Sequence, residues 1–492
     1  MKYISTRSKS EPISAAAAIC LGIAPDGGLF VPQSFPYFMP ENIASMSYRD
    51  LAEKIFALYL EDYSEQEIAS MVDAAYYSGN FDEQIAPTVT VGEREVLELW
   101  HGPTAAFKDM ALQIMPRFLS AAVKKIGDDK EIVILVATSG DTGKAALEGF
   151  KDVDGVKIIV FYPAGGVSRI QELQMLTTTG NNTYVVGVKG NFDHCQTAVK
   201  EVFADQEFAI KMAAADKQFS SANSINWGRL LPQIVYYYYA YAQMVAKGRI
   251  KVGQKINAVV PTGNFGDILA AYYAKKMGLP LDKLVCASNE NNVLTDVIKD
   301  GYYNRVRPFY KTTSPSMDIL VSSNFERFVF DMLDQDAQET AADFQKLKAE
   351  GSFSVPAEVT ARWKEFLAAD YADQKEAATA IAQVFVKYQY LMDPHTAVAY
   401  AVADKYLEQT GDKSPLLIVS TASPYKFPAA VLQALGQDIK DIDENELPAL
   451  LAKISGGTVH PALLDVDKKE IRHHRQADKE EIAQTVADIL GL

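Results

Sequence analysis

One lysine, Lys108, sits between an apolar run and a helical pattern in the stretch His101 to Met110, HGPTAAFKDM. A lysine attacks an aldehyde to form a Schiff base once its amine is uncharged. Its neighbours favour that form. Gly102 and Pro103 make a turn, and Ala105, Ala106 and Phe107 surround the amine with apolar surface, which penalises the ammonium. Taken alone, a solvated lysine in the first turn of an ordinary helix accounts for the same residue. Partners elsewhere in the chain decide between the two.

Three later segments supply such partners. The run EIVILVAT passes into Ser139-Gly140-Asp141-Thr142-Gly143 before helical spacing begins at Lys144. Small residues and hydroxyls that open a helix leave backbone N–H groups for an anion. The run KINAVVP passes into Thr262-Gly263-Asn264-Phe265-Gly266-Asp267 and an alanine-rich helix. Two glycines there let the backbone approach a phosphate, and the helix dipole favours its charge. The run PLLIVS ends in Thr421-Ala422-Ser423-Pro424, where a hydroxyl is placed to hydrogen-bond a heterocyclic nitrogen. Each segment also reads as a plain cap or turn. Nucleotide loops fit poorly: Gly140 and Gly143 are too close for a P-loop, Ala145 follows Lys144 where a Ser or Thr is needed, and neither loop is GxGxxG. An amine in an apolar pocket, two anion cradles and a terminal hydroxyl together describe pyridoxal phosphate with an amino-acid substrate.

Positioning these segments takes a large α/β architecture. A chain of 492 residues exceeds one ordinary core, so two or three domains around a cleft are expected. Strand-like runs EVLELW, EIVILVAT, VKIIVFYP, NTYVVGV, KINAVVPTG, DKLVCAS and PLLIVST alternate with helical spacing, the pattern of parallel sheets covered by helices. Ligands in such sheets bind at the carboxyl ends of strands. Residues 1–90 read as a helical segment with a boundary at the turn Gly92-Glu93-Arg94. The run Ile13 to Ala24 ends in Pro25-Asp26-Gly27-Gly28, so it reads as a helix and turn rather than a secretory signal. At the other end, Lys468 to Glu481 reads as a solvated charged face, and Ile482, Val486, Ile489 and Leu490 as the stripe of a docked helix.

Composition narrows the partners. The net charge of −15 argues against nucleic acid, so an anionic ligand needs local donors. No apolar span reaches membrane length. Cys20, Cys195 and Cys286 are odd in number and lack a CxxC pair, which fits a reducing cytoplasm. Six scattered histidines give no metal motif.

The blocks ISTR, APDGGLFVP, LELWHGPTAAFKDMALQ, ATSGDTG, SANSINWGRLLPQ, PTGNFGD, ASNENN and STASPYKF together resemble the threonine synthase family, in its order and over nearly the whole chain. That family has the tryptophan-synthase-β-like fold of pyridoxal-phosphate enzymes, fold type II. The resemblance implies an N-terminal threonine-synthase-type domain over 1–90 and a catalytic region over 91–430, followed by a helical extension over 431–492. Within the catalytic region, the small subdomain is expected over about 110–215 and the large one over 91–109 and 216–430. It further implies that Lys108 carries the cofactor, and that Gly263, Asn264, Phe265, Gly266 and Asp267 form or support its phosphate loop. Thr421 would face the pyridine nitrogen, and Ser139, Asp141 and Thr142 would serve the substrate. Asn223, Asn226, Asn289 and Asn291 are further candidates, and His101 a supporting one. Ala105 stands where the family pattern has leucine. Arg169 and Lys144 also depart from the pattern and read as surface helix residues.

The implied reaction converts O-phospho-L-homoserine and water to L-threonine and phosphate by γ-elimination and β-addition of water. It is the last step of threonine biosynthesis, in a monomer or homodimer whose partner is the small-molecule substrate. A serine or threonine dehydratase, or a cysteine synthase, would share the fold. The N-terminal region with the HGPT and SGDTG blocks argues against those, and intact Lys108 argues against a silent binding homologue. Lys108→Ala is therefore expected to lose turnover of O-phosphohomoserine while circular dichroism and the thermal transition persist. Near-normal turnover in that variant would remove Lys108 from the nucleophile's role.

Overall fold

The apolar runs become the central strands of two sheets, because a strand buried on both faces has no polar side to alternate with. The computed structural model describes residues 1–127, 130–138 and 140–492. In chain order its strands are β1 (Tyr3–Ser5), β2 (Phe30–Pro32), β3 (Thr88–Val91), β4 (Arg94–Glu98), β5 (Glu131–Ala137), β6 (Val156–Pro163), β7 (Thr183–Lys189) and β8 (Lys217–Ser220). There follow β9 (Ile256–Pro261), β10 (Leu281–Ser288), β11 (Tyr302–Asn304), β12 (Ser352–Ser354), β13 (Leu367–Tyr371), β14 (Leu416–Ser420) and β15 (Arg475–Asp478). The larger sheet runs β13-β10-β9-β14-β4-β3, parallel throughout except for β3, which is antiparallel to β4. The smaller runs β15-β7-β6-β5-β8 and is wholly parallel. This is the expected α/β architecture of fold type II.

Strand order explains where chemistry can assemble. The neighbours β9, β14 and β4 lead into the Gly263 loop, Thr421 and the Lys108 loop respectively. Register levels two of their ends, with Ser420 opposite Glu98. Three of the sequence-predicted segments therefore leave one sheet side by side, and the fourth leaves β5 of the other sheet.

The flanks differ from the sequence reading. Residues 1–90 include the antiparallel pair β1–β2 as well as helices, and Gly92-Glu93 is the turn of the β3–β4 hairpin, so residue 90 lies within an edge strand of the large sheet. The charged stretch Lys468 to Glu481 contains β15, which pairs with β7 and buries Ala477. The helix Ile482–Leu490 does dock through Ile482, Val486 and Leu490. Ser47 and Ser64 begin the helices Tyr48–Tyr59 and Glu65–Tyr76, each with a capping box. The helix Trp227–Ala246 is buried along most of its length, so the tyrosines at 236–241 are core. Among the described residues no helix is long and apolar enough to cross a membrane. Trp227 meets Tyr3, Tyr59 and Tyr273 at ring-centroid distances of 5.2, 5.5 and 6.3 Å, which joins the N-terminal region to the large sheet's helices.

One close approach fixes the small sheet's first helix against the lysine segment. Helix Asp141–Phe150 crosses helix Asp109–Leu112 at Gly149, where an added Cβ would meet the Leu112 carbonyl oxygen at 1.9 Å. Backbone cannot yield as a flexible side chain can. Gly149→Ala is accordingly expected to destabilise the protein by about 1–3 kcal/mol, the usual range for overpacking. A lowered urea midpoint is the measurement, and an unchanged midpoint would mean that the two helices separate freely.

Candidate active site

The Lys108 loop is held by the chain that follows β14. Ala106 bridges Ala422, Phe107 N–H donates to the Thr421 carbonyl (2.8 Å), and Ser423 N–H donates to the Ala105 carbonyl (3.1 Å). Ala105 takes a left-handed φ of 58°, which only a short side chain tolerates at modest cost and which turns the chain toward Lys108. Thr104 closes the loop on itself: its N–H and hydroxyl both donate to the buried Asp109 carboxylate, at 2.8 and 2.7 Å. Gly102 gives Asp109 room, since a Cβ there would meet its side chain at 2.7 Å.

Lys108 itself is buried, with its ammonium 4.7 Å from the centre of the Phe107 ring. Nζ donates to the Ser316 hydroxyl at 3.2 Å. Burial pushes the amine down to about 8; Lys426 and Arg229 push the same way, while Asp141 and Asp109 resist. The desolvation argument from AAFK thus holds, with two cations and two carboxylates around the amine that the local sequence did not reveal. Burial also lifts Asp109 to about 6, against its hydrogen bonds from Thr104.

The Gly263 loop offers backbone rather than side chains. Phe265 adopts φ 62° and opens helix Gly266–Lys276, which no side chain caps. Its ring is buried against Phe325 and Phe328. Asn264 accepts a hydrogen bond from Ser323 through its side chain, and its carbonyl accepts from the Asn324 N–H. Asp267 points inward, where Oδ1 accepts from the hydroxyls of Tyr236 and Tyr237, both at 2.6 Å; burial raises its carboxyl to about 6. Three of the five residues therefore brace the loop through their side chains. Gly263 admits the 314–318 segment, because a Cβ there would sit 2.4 Å from the Ser316 carbonyl oxygen.

Across from these, helix Asp141–Phe150 starts after Gly140, at φ 142°, with the Thr138 hydroxyl accepting the Gly143 N–H at 2.9 Å. Asp141 is buried; Oδ1 accepts from Gln171 Nε2 at 2.8 Å and pairs with Lys426 Nζ at 3.0 Å. Burial raises this carboxyl, but Lys426 and Lys108 outweigh it and hold it well below the usual range. Thr142 is half-buried on the next position. Ser139, also expected to serve the substrate, lies outside the described residues.

Other expectations divide. Thr421 is buried at the end of β14 with its backbone tied to Phe107. Asn226 is a structural cap, accepting from Gly228 N–H and donating to Ile19 and Ser221 carbonyls, and Asn223 is exposed. Asn289 and Asn291 both donate to Asp318 Oδ1, at 2.8 and 3.0 Å, and so pin the segment that carries Ser316. His101 is clasped between Asp82 and Glu98 at 2.9 and 2.8 Å. Burial lowers its pKa, but those two carboxylates prevail and raise it. It braces the loop without a recorded contact to Lys108. Lys144 corrects the surface reading: it is buried, paired with Glu148 and hydrogen-bonded to Thr178 at 2.9 Å. Arg169 is exposed, as expected, and pairs with Glu172.

Sequence reasoning missed Ser316, His395 and Lys426. His395 Nε2 accepts the Ser316 N–H at 3.1 Å, and its Nδ1 lies 2.6 Å from Asp393, so Nδ1 carries the proton. The only available signals were the PHT after Asp393 and the lysine in STASPYKF.

The residues fit pyridoxal phosphate. A buried amine with a lowered pKa suits an aldehyde, an uncapped helix start behind Gly263 suits a phosphate, and the buried Ser423 hydroxyl has no partner among the described residues. Among the described residues no group of His, Cys, Asp or Glu could hold a metal.

Comparison with known proteins gives the same answer at the level of family. Residues 2–76 match the family model "Threonine synthase N terminus", 96–422 match "Pyridoxal-phosphate dependent enzyme", and 396–474 match "Threonine synthase, C-terminal". The threonine synthase of Saccharomyces cerevisiae is 37% identical, covering 98% of each chain. Human threonine synthase-like 1 is 38% identical over 95% of this chain, which spans 65% of that relative's length. The pyridoxal-phosphate-bound crystal structure of threonine synthase from Brucella melitensis superposes with a TM-score of 0.87 at 34% identity, covering 100% of this chain and 98% of that one. With its match over 98% of the chain to a relative of this similarity, and with the lysine and the glycine loop both meeting Ser316, the chain belongs to the threonine synthase family of pyridoxal-phosphate dependent enzymes.

Proposed function

We propose that this protein is a threonine synthase, which converts O-phospho-L-homoserine and water to L-threonine and phosphate. The observation that carries the reading is the buried, deprotonation-prone Lys108 amine beside an uncapped helix start, in a chain whose residues 2–76 and 396–474 match threonine synthase models. Bound pyridoxal phosphate supplies the electron sink that makes the hydrogens next to the substrate nitrogen acidic. The remaining chemistry falls to the protein's own groups.

Lys108 is the attachment point for the cofactor and, once displaced by the substrate amine, the base for the α-proton. Its lowered pKa leaves it able both to take and to return a proton near neutral pH. Ser316 aims it, through the 3.2 Å hydrogen bond to Nζ. The backbone N–H groups opening helix Gly266–Lys276, with Gly263 and Gly266 flanking the approach, hold the cofactor phosphate; Asn264, Phe265 and Asp267 brace them. Thr421 would take the ring nitrogen. A hydroxyl leaves that nitrogen unprotonated more readily than a carboxylate would, so proton transfers by Lys108 carry more of the burden. Asp141 and Thr142 serve the substrate from the other sheet, and Ser139 is assigned to it on the family motif alone. The protein acts as a monomer or homodimer in the cytoplasm, whose reducing environment suits a chain with three buried cysteines.

Two measurements test this reading. Incubation with O-phospho-L-homoserine should release threonine and phosphate in equal amounts; turnover of serine with none of phosphohomoserine would replace it with a dehydratase. The rate at which the full-length chain takes up pyridoxal phosphate should rise with pH and level off above about 8, where Lys108 is already an amine. The sign follows from the lowered pKa: below it the ammonium cannot attack. A rate that keeps climbing through the range of an ordinary lysine, about 10.4, would count against Lys108.

A further inference from the structure

Lys426 has a fully buried side chain and belongs to no expectation drawn from the sequence. It lies in the short turn Pro424–Lys426, just past Thr421, and reaches between the two sheets. Its Nζ pairs with Asp141 Oδ1 at 3.0 Å and donates to the Thr104 carbonyl at 2.7 Å. Lys108 is thus surrounded by charges with other engagements. Asp109, on its own helix, is occupied by the two Thr104 hydrogen bonds. Asp141, on helix Asp141–Phe150, is occupied by Gln171 and Lys426. Arg229, on helix Trp227–Ala246, donates to the Ala222 carbonyl at 3.0 Å. What remains for the Lys108 amine is the Ser316 hydroxyl.

We propose that Lys426 is a positioning residue for Lys108: by keeping Asp141 in an ion pair, it leaves the Lys108 amine facing a hydroxyl instead of a carboxylate. The inference rests on Lys108 being the lysine that captures the cofactor aldehyde. In that step the nitrogen lone pair forms a bond to the aldehyde carbon, and the aldehyde oxygen leaves as water with the two amine protons. An ammonium paired with Asp141 has no lone pair to give. Removing Lys426 would take away a repulsion on the Lys108 ammonium and also free an attraction to it. The two changes act in one direction. The charges around the amine agree with this: Lys426 lowers the Lys108 pKa and Asp141 raises it.

The test uses the full-length protein mixed with pyridoxal 5′-phosphate and follows the visible band of the bound cofactor. Four variants are compared with the natural chain: Lys426→Met, Lys426→Arg, Asp141→Asn, and Lys426→Met with Asp141→Asn. Lys426→Met is expected to take up the cofactor at least about tenfold more slowly at neutral pH, with the midpoint of the rate–pH curve about one unit higher. Lys426→Arg and the double variant should return to the natural midpoint, and Asp141→Asn should fall below it. A purely structural role would slow uptake without moving the midpoint. An unmoved midpoint in Lys426→Met, or a double variant that fails to restore it, overturns the proposal. Should Lys426→Met not fold, the decision falls to the other two: Asp141→Asn at the natural midpoint, or a double variant away from it, overturns it equally. If the natural chain forms no visible band, the Lys108 reading fails instead, and Lys426 falls with it.

Discussion

Keeping one amine out of water is the constraint on which this cleft is built. A buried ammonium is penalised by desolvation, so Lys108 is easiest to hold as an amine where few carboxylates can reach it. The sequence places Asp109 next to it and Asp141 across from it, and both would restore the charge if left unpaired. Thr104 and Lys426 take up these carboxylates, and the same two residues are hydrogen-bonded to each other through the Thr104 carbonyl. Chemistry at one nitrogen therefore depends on where two neighbouring negative charges spend their hydrogen bonds.

Anion recognition follows a second constraint. With a net charge of −15, the surface repels phosphate, so attraction must come from donors fixed inside. Several helices of this chain begin with a side-chain cap, as at Ser47, Ser64, Ser168 and Asp373. The helix at Gly266 has none, and at Asp141, among the described residues, only the Gly143 N–H is taken, by the Thr138 hydroxyl at 2.9 Å. Their orphan N–H groups are therefore left for a ligand. Holding Phe265 at positive φ costs about 1–2 kcal/mol for a residue with a Cβ. Full burial of its ring contributes about 1.5–3 kcal/mol, so packing against Phe325 and Phe328 offsets the strain.

What the sequence made legible was whatever is written in contiguous residues. Continuous apolar runs marked the inner strands β5, β6, β9, β10 and β14, and glycine-bearing loops after them marked the anion cradles. Short edge strands escaped, because KQFS, LAADY and RQAD carry no apolar run and are held by pairing on one side. Lys144 was misread because Lys and Glu four residues apart look like a solvated pair, whereas Thr178 closes over it from another segment. Ser316 had no local signature, and His395 only the PHT after Asp393. Their meaning comes from a contact with Lys108 across 208 residues of chain and from a hydrogen bond across 79. Residue types in the site were readable; the charges that tune them belong to tertiary structure.

The two sheets meet the lysine through ties of different stiffness. At Gly149 the contact is backbone against backbone, with no side chain able to absorb a displacement. At Asp141 it passes through side chains, whose rotamers can adjust by fractions of an ångström at little cost. Both ties lie on one ten-residue helix, its first turn at the amine and its last against the lysine's own helix. Any movement of the small sheet on ligand binding must then leave that helix in place or carry the lysine segment with it. Carrying it would strain the Ala106–Ala422 bridge and the Phe107 hydrogen bond to Thr421, which anchor Lys108 to β14. Nor can β6 slide past that helix, since β6 pairs with β5 at six positions and its Val160 lies where a Cβ on Gly143 would meet it at 2.9 Å. On that argument the first turn of helix Asp141–Phe150, strand β6 and the Lys108 segment keep one arrangement.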